Sequence, residues 1–132
     1  HLVRAVLEGV AFGHRRHVET IRGAGACFET AVLSGGGSRS RFWPQIFADV
    51  LGVPVSVAVS RETGALGAAI GGGTGVGLFA DFTDGAQAMV RSDRHYRPNG
   101  ALAAHYDRRY ALYLDMAEAM APLWRRLSGA AA

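Results

Sequence analysis

Thr30-Ala31-Val32-Leu33-Ser34-Gly35-Gly36-Gly37-Ser38-Arg39-Ser40 is the stretch on which the fold is decided. Thr30 to Leu33 is a short apolar run bounded by turn residues, which reads as a buried strand. The three glycines behind it permit backbone angles and close approaches that a side chain would block. Trp43, Ile46, Phe47, Val50 and Leu51 then recur at helical spacing. Pro44, without an N–H, suits a first helical turn. This predicts a helix starting near Arg41 to Trp43 and ending at Gly52, with Ser38 and Ser40 in the loop or cap.

A glycine turn between a strand and a helix exposes backbone N–H groups beside the positive end of the helix dipole. Both favour an anion such as phosphate. A plain tight turn has the same composition, so the stretch alone leaves both readings open. No Gly-Lys-Ser/Thr follows, which excludes a Walker loop, and the dinucleotide Gly-x-Gly-x-x-Gly spacing fails.

Upstream, Val3, Val6, Leu7, Val10, His14, Val18 and Ile21 form a helical stripe over residues 2 to about 22, stopped by Gly23 and Gly25. Downstream, Val53 to Val59 is β-branched and alternating, a second strand with Pro54 at its start. Ser60 is the expected N-cap of a small-residue helix from 61 to about 78. Gly64, Ala65, Gly67, Ala68 and Gly71 let that helix approach a neighbour closely. The cluster Gly71 to Gly77 follows a helix instead of a strand, so it reads as a close-packed helix end and not a phosphate loop. Residues 81 to 98 read as irregular. Asn99 is placed to cap a last helix striped by Leu102, Tyr106, Tyr110, Tyr113, Met116, Met120, Leu123 and Trp124, with residues 128–132 fraying. The order helix-strand-helix-strand-helix-helix is α/β. Two strands are too few for an independent sheet, so further strands are expected from elsewhere.

The chain has 132 residues, 49% hydrophobic, which suits one domain with a core. It opens at His1 inside a helical pattern, which suggests a piece of a longer protein. No apolar run reaches a membrane span and no leader pattern is present, so a cytoplasmic location is expected. Cys27 is the only cysteine and is expected as a buried or half-buried reduced thiol. Net charge is +3 and every cation is Arg, which excludes a catalytic or phosphate-binding lysine within the chain. Arg15, Arg16, Arg108, Arg109, Arg125 and Arg126 read as solvated helix faces, and no nucleic-acid-binding motif accompanies them. Asp49 reads as structural, and His95 and His105 as ordinary surface or core histidines.

Three ordered stretches resemble the C-terminal domain of the FGGY family of carbohydrate kinases. His1-Leu2-Val3-Arg4-Ala5-Val6-Leu7-Glu8 is similar to the tail of the family's second signature. Ser34 to Ser40, continuing through Trp43, Gln45, Ile46, Ala48, Asp49, Val50 and Gly52 to Pro54-Val55, resembles its adenosine loop and helix. Glu62-Thr63-Gly64-Ala65-Leu66-Gly67-Ala68-Ala69 resembles the helix that follows. The pattern is nearest to the xylulose, L-xylulose and erythritol kinases.

The resemblance implies an actin-like, ribonuclease-H-like ATPase fold, with residues 1–132 as the C-terminal part of the nucleotide-binding domain and the sugar-binding domain absent. It implies an ATP-dependent kinase that phosphorylates a hydroxyl of a sugar or polyol, in particular a pentulose. Gly35, Gly36 and Gly37 would pass close to the phosphates and ribose. Ser40 matches a position near the adenine, and Arg41 would lie along the adenine face. His1 and Glu8 are signature residues assigned to packing or capping. The catalytic Asp and the main holders of Mg²⁺ are expected upstream, so no catalytic or metal residue is assigned here and the piece alone is expected to be inactive. The expected partners are ATP and, through the missing domain, the sugar; neither nucleic acid nor membrane is expected. Apolar surface left by missing strands would favour a homodimer or aggregation. A non-catalytic actin-fold interaction domain is the alternative, and another actin-fold ATPase of chaperone or acetate-kinase type is a third reading.

Overall fold

A computed structural model describes residues 1–60 and 62–129 of the chain. Helix α1 (Leu2–Gly23) leads to strand β1 (Ala31–Leu33), a 3-10 turn (Gly36–Arg39) and helix α2 (Trp43–Leu51). Strand β2 (Val55–Ala58), helices α3 (Thr63–Gly75) and α4 (Phe82–Met89) and strand β3 (Ser92–Tyr96) follow. A second 3-10 turn (Gly100–Leu102) runs into helix α5 (Ala103–Gly129). The sheet has the order β1-β2-β3, with β1 parallel and β3 antiparallel to β2.

Helix α2 sits at the centre because its apolar residues point two ways. Ile46, Phe47, Ala48 and Val50 pack with Ala11 and Phe12 of α1, Val55 of β2, and Tyr106 and Tyr110 of α5. Pro44 lies in its first turn, and Gly52, with φ 67°, ends it in the left-handed region that glycine adopts freely. Asp49 is buried at its far end, where its Oδ1 accepts from Gln45 Nε2 and from the backbone N–H of Asn99, both at 2.8 Å. Its structural role is therefore evident.

Several expectations need correction. On α1 the buried face is Glu8, Ala11 and Phe12, whereas Val3, Val6, Val10 and Ile21 are exposed. A charged side chain can go inside here because both of its oxygens find partners, the buried Tyr106 and two arginines that reach in from the surface. Glu8 Oε1 accepts from Arg4 Nε at 2.8 Å and Tyr106 OH at 3.2 Å, and Arg109 Nη2 lies 3.6 Å from Oε2. The packing role assigned to Glu8 holds. Arg15 is more than a solvated face: it bonds Glu19 and Asp107 and lies 4.4 Å over the Tyr110 ring. Burial, together with a hydrogen bond to Glu19, pushes the Tyr110 phenol up to about 12.

Strand β1 is at the edge of the sheet, so Val32 is exposed and Ala31 and Leu33 are half-buried. Cys27 is exposed, because it lies in the loop after α1 and outside the core. The span 81–98 is not irregular. It holds α4, whose Asp81 caps it by accepting from Asp84 N–H at 2.8 Å, and then β3. Ser60 caps nothing, since α3 starts after Glu62; Arg61 lies outside the described residues. Asn99 caps the 3-10 turn before α5 by accepting from Ala101 N–H. The stripe of α5 is buried only at Tyr106 and Tyr110, and Met116, Met120, Leu123 and Trp124 are exposed. Ser128 and Gly129 are helical; the rest of the expected frayed end, 130–132, lies outside the described residues.

Candidate functional site

Beyond β1 the chain turns at Gly35, whose φ of 83° and ψ of −170° define a backbone region open almost solely to glycine. The 3-10 turn that follows was not foreseen, and two side-chain bonds reinforce its backbone bonds. Ser38 Oγ donates to the Gly35 carbonyl at 2.7 Å, and Arg94 Nη2 donates to the Ser38 carbonyl at 2.6 Å. The three glycines do different work. Gly35 supplies the backbone angle. Gly37 lies against the Trp43 ring, where an added methyl would overlap the indole. Gly36 is exposed, with nothing within 4 Å of where a methyl would be. A helical turn leaves its first N–H groups without internal partners, so the Gly36 face is open to an acceptor from outside.

Ser40 Oγ accepts from the backbone N–H groups of Phe42 at 3.2 Å and Trp43 at 3.1 Å. It thereby caps the start of α2, as the loop-or-cap reading anticipated, while its own O–H remains able to donate. Trp43 Nε1 donates to the Leu7 carbonyl at 3.3 Å, which ties the turn to α1.

Beside the turn lies a cleft of about 450 Å³, walled by Gly35, Ser38, Arg39 and Arg41 on one side and by Ser60, Asp93 and Arg94 on the other. Three guanidinium groups against one carboxylate make it electropositive. Arg41 also lines a neighbouring cleft with Phe42, Gln45, Asp49 and Asn99. Of the residues singled out in the sequence, Gly35 and Arg41 wall the first cleft. Gly36, Gly37 and Ser40 build the turn that shapes it. Ser38 and Arg39 were read only as part of the loop and Ser60 only as a helix cap, and Asp93 and Arg94 were not singled out at all. Arg94 and Asp93 lie on a strand without apolar alternation, so no periodicity betrays them. The second glycine cluster is a packing device: a methyl added at Gly73 would sit 2.6 Å from Phe79 Cε2.

Among the described residues, no group of three or more His, Cys, Asp or Glu is placed to hold a metal ion. Among them, too, no helix is long and apolar enough to cross a membrane.

Residues 1–75 match the FGGY family of carbohydrate kinases, C-terminal domain. The chain is 38% identical over 107 residues to an autoinducer-2 kinase of Enterobacter sp., covering 80% of this chain and 20% of that protein. It is 46% identical over 76 residues to the autoinducer-2 kinase of Klebsiella pneumoniae subsp. pneumoniae, covering 58% and 14%. Among solved structures, the xylulose kinase of Rhodospirillum rubrum superposes with a TM-score of 0.82 at 35% identity, over 95% of this chain and 25% of that one. The gluconate kinase of Lactobacillus acidophilus superposes with a TM-score of 0.81 at 26% identity, over 90% and 24%. The chain thus spans a quarter or less of each of these relatives. Its α/β architecture is that of the actin-like ATPase fold these sugar kinases share. With the family's profile matched across the opening helix, the glycine turn and the small-residue helix, the chain belongs to the FGGY family of carbohydrate kinases.

Proposed function

We propose that the protein carrying this chain is an ATP-dependent carbohydrate kinase and that the chain supplies the adenosine half of its nucleotide site. The observation that carries this reading is the electropositive cleft beside a glycine turn whose central residue, Gly36, is left bare. The turn offers N–H groups to ribose and phosphate oxygens, and Arg39 and Arg41 supply positive charge to the anionic nucleotide. Arg41, at the junction of two clefts, is positioned to lie along a flat base. The Ser40 O–H remains a donor for the adenine edge.

In the reaction a sugar hydroxyl attacks the γ-phosphorus. The new O–P bond forms as the bond to the β,γ-bridging oxygen breaks, and the hydroxyl proton passes to a carboxylate base. Asp93, the one carboxylate in the cleft wall, is paired with Arg94 and takes no part as that base on this reading; among the described residues no group of three or more carboxylates or other ligating side chains is placed to hold Mg²⁺. We assign the base and the holders of Mg²⁺ to other parts of the whole kinase. On this reading the isolated chain does not turn over. A pentulose acceptor is favoured by the similarity to the xylulose kinase, and a sugar screen on the whole kinase tests it.

The direct test is Gly36→Val in the whole kinase. ATP affinity should fall about tenfold or more, with sugar affinity and thermal stability little changed. Unchanged ATP affinity would overturn the assignment. A second reading, a non-catalytic interaction domain, is favoured by the exposed Val3 and Val6 of α1 and Leu123 and Trp124 of α5. ATP-dependent phosphorylation of a sugar by the wild-type whole protein rules that reading out.

A further inference from the structure

We infer that Arg94 is a positioning residue for the nucleotide site: carried on β3, it holds the glycine turn in its ligand-ready shape. The inference rests on the reading of the cleft given above. Two independent features carry it. The first is the bond itself. Arg94 Nη2 donates to the Ser38 carbonyl at 2.6 Å, across 56 positions of sequence, from the opposite wall of the cleft. Ser38 is buried, and its hydroxyl holds the Gly35 carbonyl at 2.7 Å. Both the Gly35 and the Ser38 carbonyls are thus held, which fixes the turn in the shape that presents its first N–H groups outward. A charged donor to a carbonyl is among the stronger hydrogen bonds.

The second feature is how Arg94 reaches the cleft. On a regular strand, neighbouring side chains point to opposite faces. Asp93 and Arg94 are neighbours, yet both wall this cleft, and Arg94 Nε lies 3.7 Å from Asp93 Oδ1. The pairing explains it. Val57 pairs with Arg94 and Ala58 with Ser92, so Asp93 is an extra residue and the ladder shifts between Val57 and Ala58. A bulge of this kind bends the strand and re-aims a side chain. Here it brings the carboxylate alongside the guanidinium, which restrains the fork while its other end bonds Ser38. A side chain serving only to solvate an edge strand would need neither the bulge nor a partner on the glycine turn.

The test uses the whole kinase with Arg94→Ala and Arg94→Lys, measuring KM for ATP, KM for the sugar, kcat and thermal unfolding. For Arg94→Ala, KM for ATP should rise about tenfold, with KM for the sugar unchanged and kcat much less affected. Arg94→Lys keeps one donor for the Ser38 carbonyl and should restore most of that loss. It also serves if the alanine variant does not fold. If Arg94 only stabilises the fold, kcat and melting temperature drop together at unchanged KM for ATP, and the inference fails. It fails equally if the lysine variant is as weak as the alanine variant. Gly36→Val separates the two levels. If that change weakens ATP and Arg94→Ala does not, the positioning role alone is wrong; if neither does, the nucleotide site itself is wrong.

Discussion

The two glycine clusters, Gly35 to Gly37 and Gly71 to Gly77, have nearly the same composition and opposite uses. In the first, glycine creates room outside the protein. Gly35 adopts a backbone angle that other residues avoid, and Gly36 faces open space. In the second, glycine removes room inside it. Gly73 is buried against Phe79, and Gly85 of α4 lies so close to α3 that an added methyl would sit 2.7 Å from Ile70 Cγ2. What precedes each cluster decides which use applies. After a strand, the chain must turn and shows its N–H groups. Within a helix, as at Gly73, those groups are already bonded, so only the missing side chain matters; Gly77, past the end of α3, instead takes a φ of 79°.

The contrast can be broken by substitutions that separate stability from binding. The largest effect on stability is expected from Gly73→Val. Its side chain has no space beside Phe79, and unfolding in denaturant should show a loss of about 1–3 kcal/mol or more from overpacking. Its ATP affinity should match wild type, because the cleft is elsewhere. If Gly73→Val weakened nucleotide binding at unchanged stability, the second cluster would be a ligand loop after all.

A smaller effect on both properties is expected from Gly35→Ala. Forcing a side chain into that backbone region costs about 1–3 kcal/mol. Because the strained residue is the hinge of the turn, ATP affinity should fall with it. Calorimetric titration alongside thermal unfolding would show whether the two losses travel together. The smallest effect, and one of opposite sign, is expected from Gly72→Ala. Gly72 is exposed, helical and has nothing within 4 Å of its missing methyl. Alanine there should stabilise the helix by about 0.5–1 kcal/mol, read as a rise in the denaturation midpoint. A loss instead would mean that this face of α3 packs against something in the whole protein.

Legibility from the sequence followed the apolar periodicity. Helix α2 could be read almost to the residue, because Trp43, Ile46, Phe47, Val50 and Leu51 are buried or half-buried on it and Pro44 and Gly52 mark its ends. Strand β2 was legible for the same reason, since Val55 and Val57 are buried in alternation. Helix α4 was missed although Asp81 and Asp84 spell an N-terminal cap, because Gly85 interrupts the pattern at the point where α3 needs it small. Strand β3 was missed because Ser92-Asp93-Arg94-His95-Tyr96 presents no apolar face. The stripes on α1 and α5 misled for a different reason. Both helices carry more apolar residues than the described fold covers, so hydrophobicity alone could not tell which face turns inward.

By itself, the sequence determined the order of helix and strand from α1 to α3, the glycine turn behind β1 and the absence of lysine from this chain. Each of these depends on neighbours a few residues apart, and local spacing suffices to encode them. Tertiary structure alone decided that Glu8 lies inside with Arg4, Tyr106 and Arg109, and that Arg94 reaches across to Ser38. Apart from the i,i+4 pair of Arg4 and Glu8, those contacts join residues 56 to 101 positions apart. Nothing in the local pattern of either partner announces the other. They exist because α2 and the sheet bring both ends of the chain to one core, and a bulge at Asp93 bends the strand that carries Arg94 toward the glycine turn.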